Sequence, residues 1–240
     1  MRNQRLERIL IERGLVKGKH DAFVAVTEGK IFVDGQKAVS PAQLVKPEAK
    51  IEFRGGLGYV GRGALKFEAA LESFKMDIRG KICADIGAAT GGFTEVLLRH
   101  GARKVYAIDT ARGKLALKLR EDPRVIVLER KDVRDIEFLP DPIRVAVIDV
   151  SLIPLEEILP QVRRFLSEDG CVVALFKPQY QTGDKRILKH GILTDKDERE
   201  KLLENFLQWA EERAWKILGS MESPIKGSEG NVEYLVYLQP

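Results

Sequence analysis

Nine residues, Asp85-Ile86-Gly87-Ala88-Ala89-Thr90-Gly91-Gly92-Phe93, constrain this chain more than any other stretch. An apolar run, Ile82–Ile86, is interrupted by an acid and ends at a glycine. A loop of small residues follows, and helical spacing starts at Phe93 and runs to His100. That order describes the ligand corner of a doubly wound sheet, where ligands lie beyond the carboxyl ends of the strands. Small residues let the backbone approach a ligand closely. The glycine spacing is G-x-x-x-G-G, which differs from the G-x-G-x-x-G of dinucleotide sites and lacks the Gly-Lys-Ser/Thr of a P-loop. Nicotinamide, flavin and P-loop enzymes are therefore disfavoured.

The rest of the chain after Lys81 alternates in the same way. Strands are expected at Ile82–Ile86, Lys104–Ile108, Val125–Leu128, Val145–Asp149 and Cys171–Phe176. Helices are expected at Phe93–His100, Leu115–Arg120, Leu155–Leu166 and Asp195–Arg213. Continuous apolar strands between helices mean a parallel sheet covered on both faces. Two last strands, Trp215–Met221 and Val232–Leu238, would complete it with one antiparallel member. Upstream, Leu65, Ala69, Leu71 and Phe74 give helical spacing from Ala64 to Phe74. The expected fold class is α/β, with a mostly parallel seven-stranded, Rossmann-like sheet preceded by a small α/β module.

That module is expected over residues 1–54, a glycine-rich linker over 55–61 and the large domain over 62–240. Within the module, Leu6, Ile9, Leu10 and Leu15 mark a short helix ending at Gly14. A second helix runs from Lys19 to about Glu28, with Ala22, Phe23 and Val26 facing inward. Ile31–Val33 and Lys37–Val39 flank Asp34-Gly35-Gln36 as a hairpin, and Ile51–Phe53 is a last strand. The charge is uneven. Residues 1–55 hold eleven Lys and Arg against seven Asp and Glu, while the remainder is balanced, so the net +4 resides in the module. A polyanion is the partner such a surface suits.

Acids mark three successive strand ends of the large domain. Asp85 opens the glycine loop; Asp109 ends the next strand, where a carboxylate can accept from both ribose hydroxyls of a nucleoside. Asp132, with Val133, follows the third, where it could meet an adenine amino group. Three carboxylates beside a small-residue loop suit a cationic sulfonium nucleoside without phosphates, S-adenosylmethionine. The loop residues Gly87, Ala88, Thr90, Gly91, Gly92 and Phe93 would cradle it. Methyl transfer from a sulfonium is an in-line displacement and needs a positioned nucleophile and a way to handle its proton. Asp149 ends the fourth strand and Lys177 the fifth, on the cofactor's edge of the sheet. A lysine there is costly unless paired or solvated.

The Asp-x-Gly-x-x-x-Gly-Gly-Phe segment resembles the first motif of class I methyltransferases, specifically the FtsJ-like group. The resemblance extends to a Lys-Asp-Lys-Glu tetrad of ribose 2′-O-methyltransferases, matched here by Lys66, Asp149, Lys177 and Glu233. It implies that Lys177 assists loss of the 2′-hydroxyl proton or stabilises the alkoxide, while the other three set its charge and position. The fourth strand ends in Asp149-Val150-Ser151-Leu152, unlike the Asn/Asp-Pro-Pro-Tyr/Phe of many nucleic-acid amino methyltransferases. Arg5-Leu6-Glu7-Arg8-Ile9-Leu10, Arg13-Gly14-Leu15 and Glu28–Gly35 resemble the S4 RNA-binding domain, which implies RNA contacts from Arg5, Arg8, Arg13, Lys17, Lys19 and Lys30. The module departs from that family at Gly18-Lys19-His20, where Ser-Arg is common, and at Asp34-Gly35, where Asn-Gly is common.

Together the two domains resemble the TlyA or haemolysin-A family, carried by Tyr59–Lys66, Asp149–Ser151, Phe176–Gln179 and Ser223–Asn231. Gly61 and Gln181 depart from the Ser and Glu usual there. The resemblance implies 2′-O-methylation of a cytidine ribose in ribosomal RNA or ribosomal subunits, with further RNA contacts from Arg62, Lys185, Arg186 and Lys189. A ribosome-assembly factor that binds the cofactor with little turnover is the alternative; a membrane-active haemolysin is another. No apolar run reaches bilayer length and no signal peptide opens the chain, so no membrane partner and a cytoplasmic location are expected. Cys83 and Cys171 sit in apolar strands as small hydrophobes, and the three scattered histidines suggest no metal.

Overall fold

A computed structural model describes residues 3–16, 18–27, 29–53, 59–227 and 229–240. The chain divides into two compact units, residues 1–58 and 59–240. The smaller unit contains β1 (Gln4–Arg5), α1 (Leu6–Glu12), α2 (Lys19–Thr27), β2 (Ile31–Val33), β3 (Gln36–Lys37), β4 (Leu44–Val45) and β5 (Ile51–Phe53). Strands β3, β2 and β5 form an antiparallel sheet, and β1 pairs with β4. The core gathers Leu6, Ile9 and Leu10 from α1 with Ala22, Ala25 and Val26 from α2 and Ile31 from β2.

Two details differ from the sequence expectation. Phe23 does not face inward; it is 56% exposed, and Ala25 takes the inner position. Ala22, Ala25 and Val26 stand at i, i+3 and i+4, one helical stripe that excludes the residue after Ala22. The hairpin turn is also shorter. Asp34 and Gly35 alone make it, both with positive φ, and Gln36 already pairs with Val33. A turn with φ > 0 at both central residues matches the right-handed strand twist and favours an Asp-Gly pair.

The larger unit begins with α3 (Gly63–Ser73) and then alternates: β6 (Ile82–Ile86), α4 (Gly92–Arg99), β7 (Lys104–Asp109), α5 (Leu117–Arg120), β8 (Val125–Glu129), β9 (Ile143–Ile148), α6 (Leu155–Phe165) and β10 (Leu166–Phe176). A short α7 (Pro178–Gln181), the long α8 (Lys196–Glu212), β11 (Lys216–Glu222) and β12 (Tyr234–Gln239) complete it. The seven strands lie in the order β11-β12-β10-β9-β6-β7-β8. Pairings among β6 to β10 are parallel, whereas β12 runs antiparallel to both neighbours. The chain reverses direction across the sheet between β6 and β9, so a crevice opens at the carboxyl ends of these two strands.

Alternation along the strands feeds two hydrophobic layers. Cys83, Val105, Val145, Val147 and Val173 meet α3 and α4 on one face. Ala84, Ile86, Ile108, Ala146, Ile148 and Ala174 meet α6 and α8 on the other. Both cysteines are buried, and burial pushes the Cys83 thiol up to about 12, which suits a packing role. The inner face of α3 is Ala64, Phe67, Ala70 and Leu71, rather than the expected Leu65 and Ala69. Lys66 is buried on that helix too, so a hydropathy reading shifts the stripe by one residue.

Candidate active site

The crevice holds a cavity of about 360 Å³ built from four strand ends. Gly87 and Ala89 line it from the β6 loop, Asp109 and Thr110 from β7, Lys131 to Val133 from beyond β8, and Asp149 to Ile153 from beyond β9. Its size lies in the range of small-molecule sites. Asp109 accepts from the backbone N–H of Ala89 through Oδ2 and of Ala111 through Oδ1, each at 2.7 Å. Each carboxylate oxygen has two acceptor sites, so one on each remains for a ligand diol. Asp132 lines the cavity but is also held by Arg134, whose side chain and backbone donate to it at 2.8–3.0 Å. Those bonds keep its carboxyl below the usual range. Its loop-capping role is therefore on display, beside the Val133 wall that a flat apolar ring would need.

Other residues of the glycine motif build the corner without lining this cavity. Gly91 has φ +93°, and a side chain there would strike Leu119 and Leu115. Gly92 lies against the backbone of Ala64, a methyl at Gly61 would come 2.7 Å from the Thr90 hydroxyl, and Ala88 is buried. Phe93 stacks on Phe67 at 5.2 Å, which fixes α4 against α3. Asp85 is almost completely buried; Thr94 donates to its Oδ2 at 2.6 Å, and Oδ1 has no hydrogen-bond partner. Burial pushes this carboxyl up to about 7 against the Thr94 hydrogen bond, with help from the charges of Asp149 and Asp109.

An aspartate with a raised folded pKa takes up a proton when the chain folds at any pH between its unfolded value, ~4, and about 7. The stability linked to that proton is fully present below the lower value and is lost as pH rises through the upper one. Asp85→Asn keeps an acceptor for Thr94 and cannot ionise. It should lose less stability than the wild type between pH 5 and pH 8, read as urea midpoints at both values. Parallel losses in the two proteins would show that Asp85 does not titrate in this window.

Beyond the crevice stand two ion pairs. Lys177 Nζ is 2.6 Å from Asp149 Oδ1 and 3.1 Å from Ser151 Oγ. Lys66 Nζ meets Glu233 Oε2 at 2.5 Å, with side chains only 9% and 4% exposed. A second, small cavity of about 40 Å³ is lined by Ser151, Lys177, Gln179, Tyr180, Gly227, Glu229, Asn231 and Glu233. Ser151 lines both cavities. A methyl placed on Gly63, at the start of the helix that carries Lys66, would be 3.8 Å from Asp149 Oδ2. The structure thus brings Lys66, Asp149, Lys177 and Glu233 to one place, from α3 and the ends of β9 and β10 to the residue before β12.

Several residues of this corner carry little signal in the sequence. Glu95 is buried one turn into α4 and accepts from Val60 N at 2.7 Å, Arg99 at 2.7 Å and Lys118 at 2.6 Å. Burial raises its pKa, but the bonds from Lys118, Val60 and Arg99 outweigh that and hold it low. Val60 and the buried Tyr59 therefore belong to the larger unit, although the linker was expected to extend to Gly61. Residues 55–58 of that linker lie outside the described residues. Asn231 accepts from Leu193 N and donates to the Gly191 carbonyl, which ties the loop after α7 to the start of β12. An acid inside an apolar helix stripe was the available cue for Glu95; Ser151 and Gln179 each stand two residues from a site residue.

The sequence-derived RNA contacts are distributed differently. In the smaller unit, Arg5 pairs with Glu7 and Arg8 with Glu12, and Lys19 is exposed. Arg13 donates to the carbonyls of Ala49 and Pro47, where it ties α1 to the chain before β5. Lys30 is half-buried, and Lys17 lies outside the described residues. In the larger unit, Lys185 and Lys189 are exposed; Arg186 is clamped by Asp184, and Arg62 donates to the Lys226 carbonyl at 3.3 Å. Among the described residues, no group of three His, Cys, Asp or Glu side chains could hold a metal ion. No helix among them is long and apolar enough to cross a membrane.

Comparison with known proteins gives this geometry a family. The profile of FtsJ-like methyltransferases matches residues 59–240. The 16S/23S rRNA (cytidine-2′-O)-methyltransferase TlyA of Mycobacterium tuberculosis is 37% identical over 99% of this chain and 90% of its own. Hemolysin A of Brachyspira hyodysenteriae is 38% identical over 97% of this chain and 98% of its own. A solved Streptococcus thermophilus structure labelled a hemolysin is 36% identical, with a TM-score of 0.76, over 99% of this chain and 88% of that one. The chain therefore belongs to the FtsJ-like methyltransferases, among the relatives that carry the TlyA and hemolysin A names.

Proposed function

We propose that this chain methylates a ribose 2′-hydroxyl in ribosomal RNA, at a cytidine, using S-adenosylmethionine. The observation that carries the reading is the convergence of two ion pairs, Lys177–Asp149 and Lys66–Glu233, beside an acid-lined crevice. S-adenosylmethionine supplies a methyl group on a cationic sulfur. The crevice suits it by its carboxylates and apolar walls: Asp109 has acceptor sites to spare for a ribose diol, and Ile86, Ile108, Val133 and Ile158 offer an apolar slot. The unpartnered Oδ1 of Asp85 adds negative charge beneath the glycine loop when that group ionises.

Lys177 has three N–H donors. Asp149 and Ser151 engage two, which leaves one for the substrate oxygen. As the 2′-hydroxyl gives up its proton to solvent, negative charge builds on its oxygen until that oxygen bonds carbon, and a fixed ammonium there lowers the barrier. Asp149 aims the ammonium. Lys66 and Glu233 neutralise one another, and Glu233 lines the same cavity. A hydroxyl, rather than a base amine, is the fitting nucleophile because the strand end offers Asp149-Val150-Ser151. The curated relatives' names support ribosomal RNA and cytidine. A ribosomal RNA substrate also goes with a cytoplasmic location.

The test is transfer of labelled methyl to unmethylated ribosomal RNA or subunits, followed by mapping of 2′-O-methyl positions. New modification at a cytidine supports the reading; cofactor binding without transfer supports the assembly-factor alternative. We also assign residues 1–54 to RNA binding in the manner of an S4 domain, with Lys19 among its exposed cations. Lys185→Ala with Lys189→Ala in the larger unit should weaken RNA binding and flatten log K against log salt by ~0.7–0.9 for each phosphate no longer neutralised. Arg13→Ala should instead destabilise the smaller unit, because it strips donors from two carbonyls. An unchanged salt slope in the double lysine variant would remove that loop from the RNA interface.

A further inference from the structure

We propose that Gln179 holds the substrate's 2′-hydroxyl, accepting its O–H hydrogen bond through Oε1 and so orienting the nucleophile. The inference rests on the methyltransferase reading and goes beyond the two ion pairs. Gln179 is only 8% exposed, and its Oε1 is sealed from solvent with no hydrogen-bond partner. A buried acceptor left unpaired is costly, so such groups are ordinarily satisfied by a donor. The space beside it that could admit one is the small cavity it lines with Lys177, Ser151 and Glu233.

The size of that space decides what the donor can be. At about 40 Å³ it holds roughly one water-sized group, whose share of liquid volume is about 30 Å³. Only the tip of a substrate enters, and an exocyclic amine, a donor without a free lone pair for the Lys177 ammonium in the same cavity, suits it less than a hydroxyl does. A phosphate suits the space less, since it would leave Gln179 Oε1 without a donor and would meet Glu233 and Glu229. A hydroxyl fits both the volume and the missing hydrogen bond. The 2′-hydroxyl is the donor that an internal ribonucleotide's sugar carries, and the Lys177 ammonium lies in the same cavity.

Local structure holds the side chain where this requires. Pro178 follows Lys177 and opens α7, so the lysine caps a single helical turn whose second residue is Gln179. Two residues on, Gln181 Oε1 accepts from Leu155 N at 3.3 Å and ties that turn to α6. Lys177 and Gln179 thus approach one oxygen from a common rigid segment, with complementary roles. The ammonium donates to the oxygen's lone pair, and the amide accepts its proton side. The remaining lone pair is left for the methyl carbon. An amide is too weak a base to take the proton and an ammonium has no lone pair to accept it, so Gln179 orients the hydroxyl and the proton passes to solvent as the carbon–oxygen bond forms.

Gln179→Met keeps the length and volume and removes the acceptor; Gln179→Glu keeps an acceptor at the same reach. Both are compared with wild type on unmethylated ribosomal RNA. The Met variant should lose about 10–100-fold in kcat, the scale of a mispositioned nucleophile, with KM for RNA and Kd for S-adenosylmethionine within about threefold. The Glu variant should recover part of the loss. An unchanged kcat in the Met variant, a change confined to KM, or equal losses in both variants would overturn the assignment. If the wild type itself transfers no methyl to ribosomal RNA, the proposed activity fails first, which separates the two failures.

Discussion

Lys177→Met is expected to lower methyl transfer to RNA by about 10²–10⁴-fold while S-adenosylmethionine still binds within about threefold of wild type. The prediction follows from which cavity the side chain lines. Lys177 borders the small cavity and not the acid-lined crevice, so its loss should fall on the nucleophile rather than on the cofactor. Methionine preserves most of the apolar stem. The residual cost is Asp149 without its partner, and at 25% side-chain exposure water can reach that carboxylate, so stability should drop by only about 1–2 kcal/mol. Lys66→Met should behave in the opposite way. It strands Glu233, which is 4% exposed, and breaking so buried a pair costs about 3–5 kcal/mol. Single-turnover rates, calorimetric cofactor affinity and urea midpoints distinguish the two. If Lys177→Met turned over normally, the pair with Asp149 would be structural. If its cofactor affinity collapsed instead, Lys177 would belong to the crevice.

The contrast between these lysines also shows what a sequence can reveal. Lys177 is visible because it ends an apolar strand and is followed by proline, an environment in which a cation needs a reason. Lys66 is visible only by resemblance, since its partner Glu233 lies 167 residues away. Its burial even misdirects the reading of α3, where a stripe drawn through Leu65 and Ala69 ignores a charged residue facing inward. The parallel sheet and its order of elements are legible from period and punctuation, because each strand buries both faces and each helix one. Contacts assembled from distant segments are not. Glu95 anchors Val60, and Asn231 pins Gly191 to Leu193, through bonds that no local pattern encodes. Phe23 is misplaced for a simpler reason: three small or branched residues fill the stripe in α2, and the largest apolar side chain is left outside.

Gly87→Ala is expected to remove cofactor binding, methyl transfer and several kcal/mol of stability together. Two penalties act at that position. Its φ is +83°, which costs an L-residue about 1–2 kcal/mol. The added methyl would also overlap the carbonyl oxygen of Asp149 and lie 2.8 Å from its carbonyl carbon. That carbonyl cannot swing aside freely, because Asp149 N donates to Ile86 O at 2.9 Å and β6 and β9 are paired up to Ile86 and Ile148. The strand ends must spread, carrying Asp149 away from Lys177 and deforming the loop that lines the crevice. Gly80→Ala is the control. Its φ is +72°, yet nothing lies within 4 Å of the added methyl, so it should cost the backbone term alone and leave activity intact. Equal stability losses in the two variants, with cofactor affinity preserved at position 87, would mean that the corner yields more easily than its geometry implies. The expected inequality would assign a structural meaning to the first glycine of the motif. It is there because the strand end bearing Asp149 passes too close for any side chain, so cofactor loop and acceptor site share one backbone contact.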